Sequence, residues 1–270
     1  MLFPASALSR PSIAPETLIL YNKTILQKRV ILMKIGVLCA GDRELAPFLP
    51  HIENEIISEK AMLSVHEGTI HGMNIAALFS GVCKVNAAVA AQILIDCYHV
   101  DLIINAGTCG GMAPSLDLFD TVISTESAYH DVAENILTEF HPWLKSVFIP
   151  ADPNLLSLAQ SAAGRIRTDH KIVFGRTVTG EAFIADDGRD EINEAFRPLS
   201  VDMETAAAAH VCFVNRVPFL SVRCITDTPA RCGSDEFGRN LDRAAAIAKD
   251  ITLALIDEIR AKEGEATWSE

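Results

Sequence analysis

The sequence predicts a three-layer α/β domain, a largely buried sheet held between two layers of helices. Three observations lead there. Short apolar runs of strand length alternate with longer stretches of helical periodicity. Several of the runs are apolar throughout, as strands covered on both faces are. No internal repeat or low-complexity linker interrupts the pattern. The 270 residues suffice for one large domain, which needs no disulfide or metal staple. Apolar residues make up 49% and charged residues 21%, the balance of a globular chain.

Residues 1–32 stand apart from this pattern. They carry four basic side chains (Arg10, Lys23, Lys28, Arg29) and one acid (Glu16), without the order of a signal peptide. They are read as an extension outside the chemistry, and 33–270 as the domain. Lys34–Ala40 reads as the first strand and Asp42–Leu49 as a helix. Leu63–His71 and Met73–Ser80 read as two strands joined by a His71-Gly72 turn. Lys84–Tyr98 lacks Gly and Pro and reads as a buried helix. Asp101–Ala106 is a buried strand, and Gly107–Gly111 a tight loop at its end. Thr121–Tyr129, Ile172–Val178, Leu199–Met203 and Phe219–Ile225 follow as strands, with helices at Asn154–Arg165, Asp187–Phe196 and Thr205–Val214. The last helix shows apolar positions from Phe237 to Ile259 at spacings of three and four.

With 23 Lys+Arg against 35 Asp+Glu the net charge is -12, which argues against binding nucleic acid through its phosphates. No run approaches the roughly 18 apolar residues of a membrane span. The seven cysteines (39, 83, 97, 109, 212, 224, 232) form no Cys-x-x-Cys pair and no zinc spacing, and read as reduced thiols of a cytoplasmic protein.

In open α/β sheets, ligands bind outside the carboxyl ends of the strands. Standing there are Gly41-Asp42-Arg43-Glu44, Gly107-Thr108-Cys109-Gly110-Gly111, Thr179-Gly180-Glu181-Ala182-Phe183-Ile184, Glu204, and Thr226-Asp227. Three carboxylates, a glycine-rich backbone and an aromatic share one rim, with no cluster of Lys or Arg. Each has a plain alternative: a tight turn at Gly107–Gly111, a macrodipole contact for Glu204, a turn former in Asp227, a core side chain in Phe183. Arg223, inside an apolar strand, requires an anionic partner, for which Glu204 is the natural candidate.

Four segments carry a resemblance: Ile103–Gly111 (IINAGTCGG), Gly180–Ile184 (GEAFI), Val201–Ala207 (VDMETAA) and Val222–Asp227 (VRCITD). The chain from Met33 to about Ile259 resembles the 5′-methylthioadenosine/S-adenosylhomocysteine nucleosidases of the nucleoside phosphorylase superfamily. Asp202 stands in place of the first Glu of that superfamily's Glu-Met-Glu signature. The resemblance implies a three-layer αβα domain on a central mixed sheet and hydrolysis of the adenine N9–ribose C1′ bond, without cofactor or metal. Asp227 would protonate N7 of the leaving purine, Glu204 would hold the ribose hydroxyls and stabilise the oxocarbenium ion, and Glu44 would deprotonate the attacking water. Phe183 would stack on adenine and the Ile184 backbone would read its edge. Met203 would pack beneath the ribose, with Thr108, Cys109, Gly110, Asp202 and Arg223 completing the binding surface.

A phosphorolytic relative, a purine nucleoside or uridine phosphorylase, is the main alternative. Such enzymes usually place a Gly-Asp-Pro-x-Arg loop after the first strand and an Arg before the Gly-Ser-Cys-Gly turn. Here Glu44 and Asn105 occupy the matching region, and only Arg43 could serve phosphate. A non-catalytic binding or storage protein is the other alternative, against which the three retained carboxylates speak. The resemblance further implies a homodimer. The low charge of Lys84–Tyr98 and Thr205–Val214 and the aromatics from Tyr129 to Trp143 suit a surface reaching across to a partner. The stretch Val132–Ile136 lacks the family's Val-Thr-Ala-Phe-Gly-Tyr, which leaves the preferred 5′ substituent open.

Overall fold

In the computed structural model, residues 33–141, 143–185 and 188–266 are described; the extension expected at 1–32 lies outside them. Ten strands form one mixed sheet: β1 (Lys34–Cys39), β2 (Glu53–Lys60), β3 (Leu63–Ile70), β4 (Met73–Phe79), β5 (Leu102–Gly111), β6 (Thr121–Tyr129), β7 (Ile149–Pro150), β8 (Ile172–Thr179), β9 (Ser200–Asp202) and β10 (Phe219–Asp227). The order is β10-β6-β8-β9-β5-β1-β4-β3-β2, with β7 beside β6. A further parallel pairing joins β10 to β5, from Phe219 opposite Ile103 to Asp227 opposite Gly110. Strands β5, β10, β6, β8 and β9 therefore pair in a ring, and this half of the sheet closes on itself.

The helices are α1 (Asp42–Leu45), α2 (Lys84–Asp96), α3 (Glu134–Phe140), α4 (Pro153–Arg165), α5 (Arg189–Phe196), α6 (Thr205–Asn215) and α7 (Ser234–Ala266). Alternation along β1 divides the core. Ile35 and Val37 face a cluster with Leu155 and Ala159 of α4 and Ile251, Leu255 and Ile259 of α7. Leu38 faces a second cluster with Ala87–Leu94 of α2 and Ala206–Cys212 of α6. A period of two sends successive side chains to opposite faces, so a strand covered by helices on both sides is apolar at every position.

Four features differ from expectation. Helix α1 stops at Leu45, because Pro47 has no amide to continue it. The edge strand β2 is an addition to the expected set. It is acidic, its Ile56 and Ile57 are exposed, and charged residues suit an unpaired edge. Helix α3 and strand β7 are further additions. The expected tight loop at 107–111 is the second half of β5, paired to β10 on one side and to β9 through Gly110 and Gly111. The His71-Gly72 turn is present, with φ of 50° and 81°, as a two-residue hairpin requires.

Candidate active site

Glu44 lies in the first turn of α1 and points back along the entering chain. Its Oε2 accepts from the amides of Ala40 (2.8 Å) and Gly41 (3.2 Å), as a glutamate at the third helical position does. Its Oε1 accepts from the amide and the hydroxyl of Thr108, each at 2.7 Å. Four donors thus occupy the four acceptor positions of a carboxylate. Gly107 permits this approach, since a Cβ there would lie 2.6 Å from Oε1. The glycines of this segment answer to close packing and not to a turn.

Arg223, fully buried in the middle of β10, organises the site. It donates through Nη2 to Asn105 Oδ1 (2.7 Å), through Nη1 to the Thr108 carbonyl (3.2 Å) and through Nε to Thr205 Oγ1 (3.3 Å). Asp202 at 3.3 Å, Glu204 at 3.5 Å and Glu44 at 3.9 Å surround it. The anionic partner expected in Glu204 is present but shared among three carboxylates. Burial opposes the guanidinium charge, yet these carboxylates outweigh it and hold the pKa above the ordinary value.

Glu204 carries the excess of negative charge. Burial above all lifts its carboxyl to about 7; Arg223 and the Cys83 amide act against the rise, and Asp202 and Glu44 add to it. Its Oε1 accepts from the Cys83 amide at 2.9 Å. Cys83 adopts φ 85° and ψ 163°, a region costing a side-chain-bearing residue on the order of 1–3 kcal/mol. Glu204 stands at the N-cap of α6, where the helix macrodipole favours its charge, but its side chain makes no cap bond. Asp202 does the capping: its Oδ1 accepts from the amides of Glu204 (3.2 Å) and Thr205 (3.1 Å) and from the Thr179 hydroxyl (2.6 Å). Its Oδ2 accepts from the Thr205 hydroxyl. Asp202, expected to touch substrate, lines the cavity of the site and has both oxygens engaged by protein.

Asp227 ends β10 and is buried. Burial raises its pKa, while the Thr226 hydroxyl and Arg189 act in the opposite direction. Thr226 Oγ1 lies 3.0 Å from Asp227 Oδ1 and 3.1 Å from the Cys109 carbonyl. One hydroxyl proton serves only one of them. When it goes to Cys109, Thr226 can accept a proton held by Asp227, so the pocket accommodates the neutral acid as well as its anion.

Glu44, Asp202, Glu204 and Asp227 line one cavity of about 210 Å³, with Thr108, Cys109, Gly110, Phe183, Met203, Val82 and Phe237 among its walls; Arg223 lies behind it. Phe183 is 44% exposed and meets Phe237 edge-on, at 5.9 Å and 74°. Ile184 packs into a small cluster with Met112, Val178 and Val201. Its carbonyl accepts from Arg189 at 3.0 Å. Sequence reasoning missed Arg189, Phe237 and Val82, which lie outside the motifs, Arg189 five residues beyond Ile184. No local pattern marks them. A larger cleft of about 880 Å³ is lined by His141, Trp143, Lys145, Phe213, Val214 and Arg216, with no carboxylate among these described residues. Among the described residues no group of three or more His, Cys, Asp or Glu is arranged to hold a metal ion.

The family model described as the phosphorylase superfamily matches residues 34–257. The 5′-methylthioadenosine/S-adenosylhomocysteine nucleosidase of Anoxybacillus flavithermus is 34% identical over 232 residues, 84% of this chain and 99% of that protein. The chain belongs to this nucleosidase family of the phosphorylase superfamily. The Bacillus pumilus protein of the same name is 33% identical to this nucleosidase, with the same coverage. The fold of this chain matches the Neisseria meningitidis nucleosidase in complex with methylthio-immucillin-A, with a TM-score of 0.77, 29% identity, and 83% and 99% of the two chains covered. It also matches the Colwellia psychrerythraea nucleosidase in complex with adenine, with a TM-score of 0.77, 28% identity, and 84% and 95% covered.

Proposed function

We propose that this nucleosidase hydrolyses the N-glycosidic bond of 5′-substituted adenosines, 5′-methylthioadenosine and S-adenosylhomocysteine among them, and releases adenine. The observation that carries the reading is the placement of Glu44, Glu204 and Asp227 on one cavity with Arg223 buried behind two of them. A ribosyl oxocarbenium ion leaving a purine anion needs a proton source at the base, negative charge at the sugar and a base for water. Asp227, raised by burial, is suited to hand its proton to N7. Glu204 accepts from the ribose hydroxyls and stabilises the positive sugar. Glu44 orients the water, and the Thr108 hydroxyl is the one of its four donors able to rotate away and free an acceptor position. Phe183 and Phe237 are the aromatic surfaces for adenine.

Water, not phosphate, is the nucleophile. Among the described residues, no Lys or Arg lines the cavity. Arg43, the one candidate for phosphate, is paired to Asp242 of α7 at 2.7 Å. A panel of 5′-substituted adenosines, assayed with and without phosphate, tests this. Release of free ribose at a rate independent of phosphate is expected, and strict phosphate dependence overturns the reading.

The active assembly is a homodimer in the cytoplasm. Support for the dimer comes from α2 and the loop before it, where Val82, Val85 and Val89 are 51%, 72% and 45% exposed beside the cavity that Val82 lines. Support for the cytoplasm comes from the seven cysteines, all free thiols, as a reducing compartment keeps them. No helix of the described residues is long and apolar enough to cross a membrane.

A further inference from the structure

Arg189, the first residue of α5, is almost completely buried, and each of its five N–H groups has an acceptor. Nε donates to the Ala185 carbonyl. Nη1 donates to the Gly111 carbonyl (2.6 Å) and to Met112 Sδ (3.4 Å). Nη2 donates to the Ile184 carbonyl (3.0 Å) and to Asp227 Oδ2 (3.3 Å). Four of the five acceptors are neutral. Asp227 is the one carboxylate within ion-pairing distance of Arg189 among the described residues. A guanidinium taken this far out of water is costly without an anion; while Asp227 holds its proton that anion is missing, and it appears when the proposed general acid gives the proton up.

We propose that Arg189 is the positioning residue of that acid: it receives the negative charge that Asp227 acquires as its proton passes to adenine N7, and it fastens that carboxylate to the segment carrying Phe183 and Ile184. This rests on the reading of Asp227 given above. In the step, the Asp227 O–H bond breaks and an N7–H bond forms. The C1′–N9 bond breaks with its electron pair going to the purine. Water oxygen bonds to C1′, and the water's second proton goes to Glu44 and returns through solvent to Asp227. Negative charge grows on Asp227 only along this path, so a cation 3.3 Å from Oδ2 stabilises the transition state more than the ground state. The same guanidinium holds the Ile184 carbonyl, so the surface against adenine and the acid that protonates adenine share one support.

The groups facing Asp227 are Arg189 from α5, Glu236 from α7 and the Cys109 thiol from β5, with Thr226 beside it on β10. Of these only Arg189 is cationic. Removing its charge lets the Asp227 pKa rise, so Asp227 keeps its proton to higher pH. In Arg189→Met the alkaline limb of kcat/KM should move up by about one pH unit or more, and kcat should fall on the order of 10²-fold. Arg189→Gln, which retains polar contact with the carbonyls, should shift the limb in the same direction and decides the matter if the Met variant does not fold. Arg189→Lys should keep the limb in place while raising KM, since one ammonium cannot reach all the carbonyls. Asp227→Asn is measured in parallel. If it is inert and the neutral variants leave the limb unmoved, the inference about Arg189 falls alone. If Asp227→Asn stays active, the reading of Asp227 as the acid falls, and this inference with it.

Discussion

Burying Arg223 among Asp202, Glu204 and Glu44 places three acids against one base, and the residue that gives way is Glu204. Its folded-state pKa of about 7 stands above the ordinary 4.5. The neutral form therefore belongs to the folded state. Its stabilising contribution is full below pH 4.5 and is lost as pH rises through 7. Glu204→Gln holds the side chain neutral at every pH. The Tm of this variant relative to the parent should climb between pH 4.5 and 7 and then level, as followed by thermal melts across that range. A difference that does not change with pH would show that Glu204 ionises as freely as an exposed carboxyl. The elevated value also fits the chemistry: a carboxylate deprived of water has the most to gain when a cationic sugar forms beside it.

Strand β5 shows how an element can be shaped by a side chain from elsewhere. Its Gly107 sits against Glu44, and a Cβ there would meet Cδ, Oε1 and Oε2 at 2.6, 2.6 and 2.7 Å. Gly107→Ala should cost about 1–3 kcal/mol of stability by overpacking. It should also cost turnover out of proportion, because the atom displaced is the water's base. Gly164, inside α4, supplies the contrast: a Cβ there would meet no atom within 4 Å. Gly164→Ala should stabilise the fold by about 0.5–1 kcal/mol and leave kcat untouched. Equal loss of activity in the two variants would remove the special role assigned to Gly107.

On the scale of the whole molecule the exposed apolar surfaces bear on assembly. Tyr129 and His130 were expected to belong to a patch reaching outward. Tyr129 is instead buried, its hydroxyl 3.2 Å from His210 Nδ1, and His130 is only partly exposed. Among the exposed apolar side chains are Ile136, Phe140 and Trp143 on the chain beyond them, and Val85 and Val89 on α2. An obligate interface buries about 2,000 Å² or more, and one on α2 would border the cavity through Val82. Light scattering over a dilution series, read beside specific activity, should show activity falling with the dimer. A fully active monomer of 29.3 kDa would overturn the proposal. Starting the chain at Met33 should preserve both activity and Tm, since every group assigned to the chemistry lies beyond it. Loss of either would give residues 1–32 a part in the fold.

Periodicity and punctuation alone determined the α/β class, the order of most elements and the strand ends where Glu44, Glu204 and Asp227 stand. These features are local: alternation marks a strand, and a carboxylate after a strand is visible without knowing its neighbours. The sequence resemblance supplied their roles. Tertiary structure decided the rest. It made Gly107–Gly111 a strand, because β10 and β9 satisfy its backbone from both sides. It gave the capping of α6 to Asp202, whose Oδ1 the Glu204 and Thr205 amides reach. It set Arg189 against Asp227, 38 residues away. No spacing records that contact, because what joins the two is a buried charge seeking its counter-charge, and only the folded chain decides which groups lose water together.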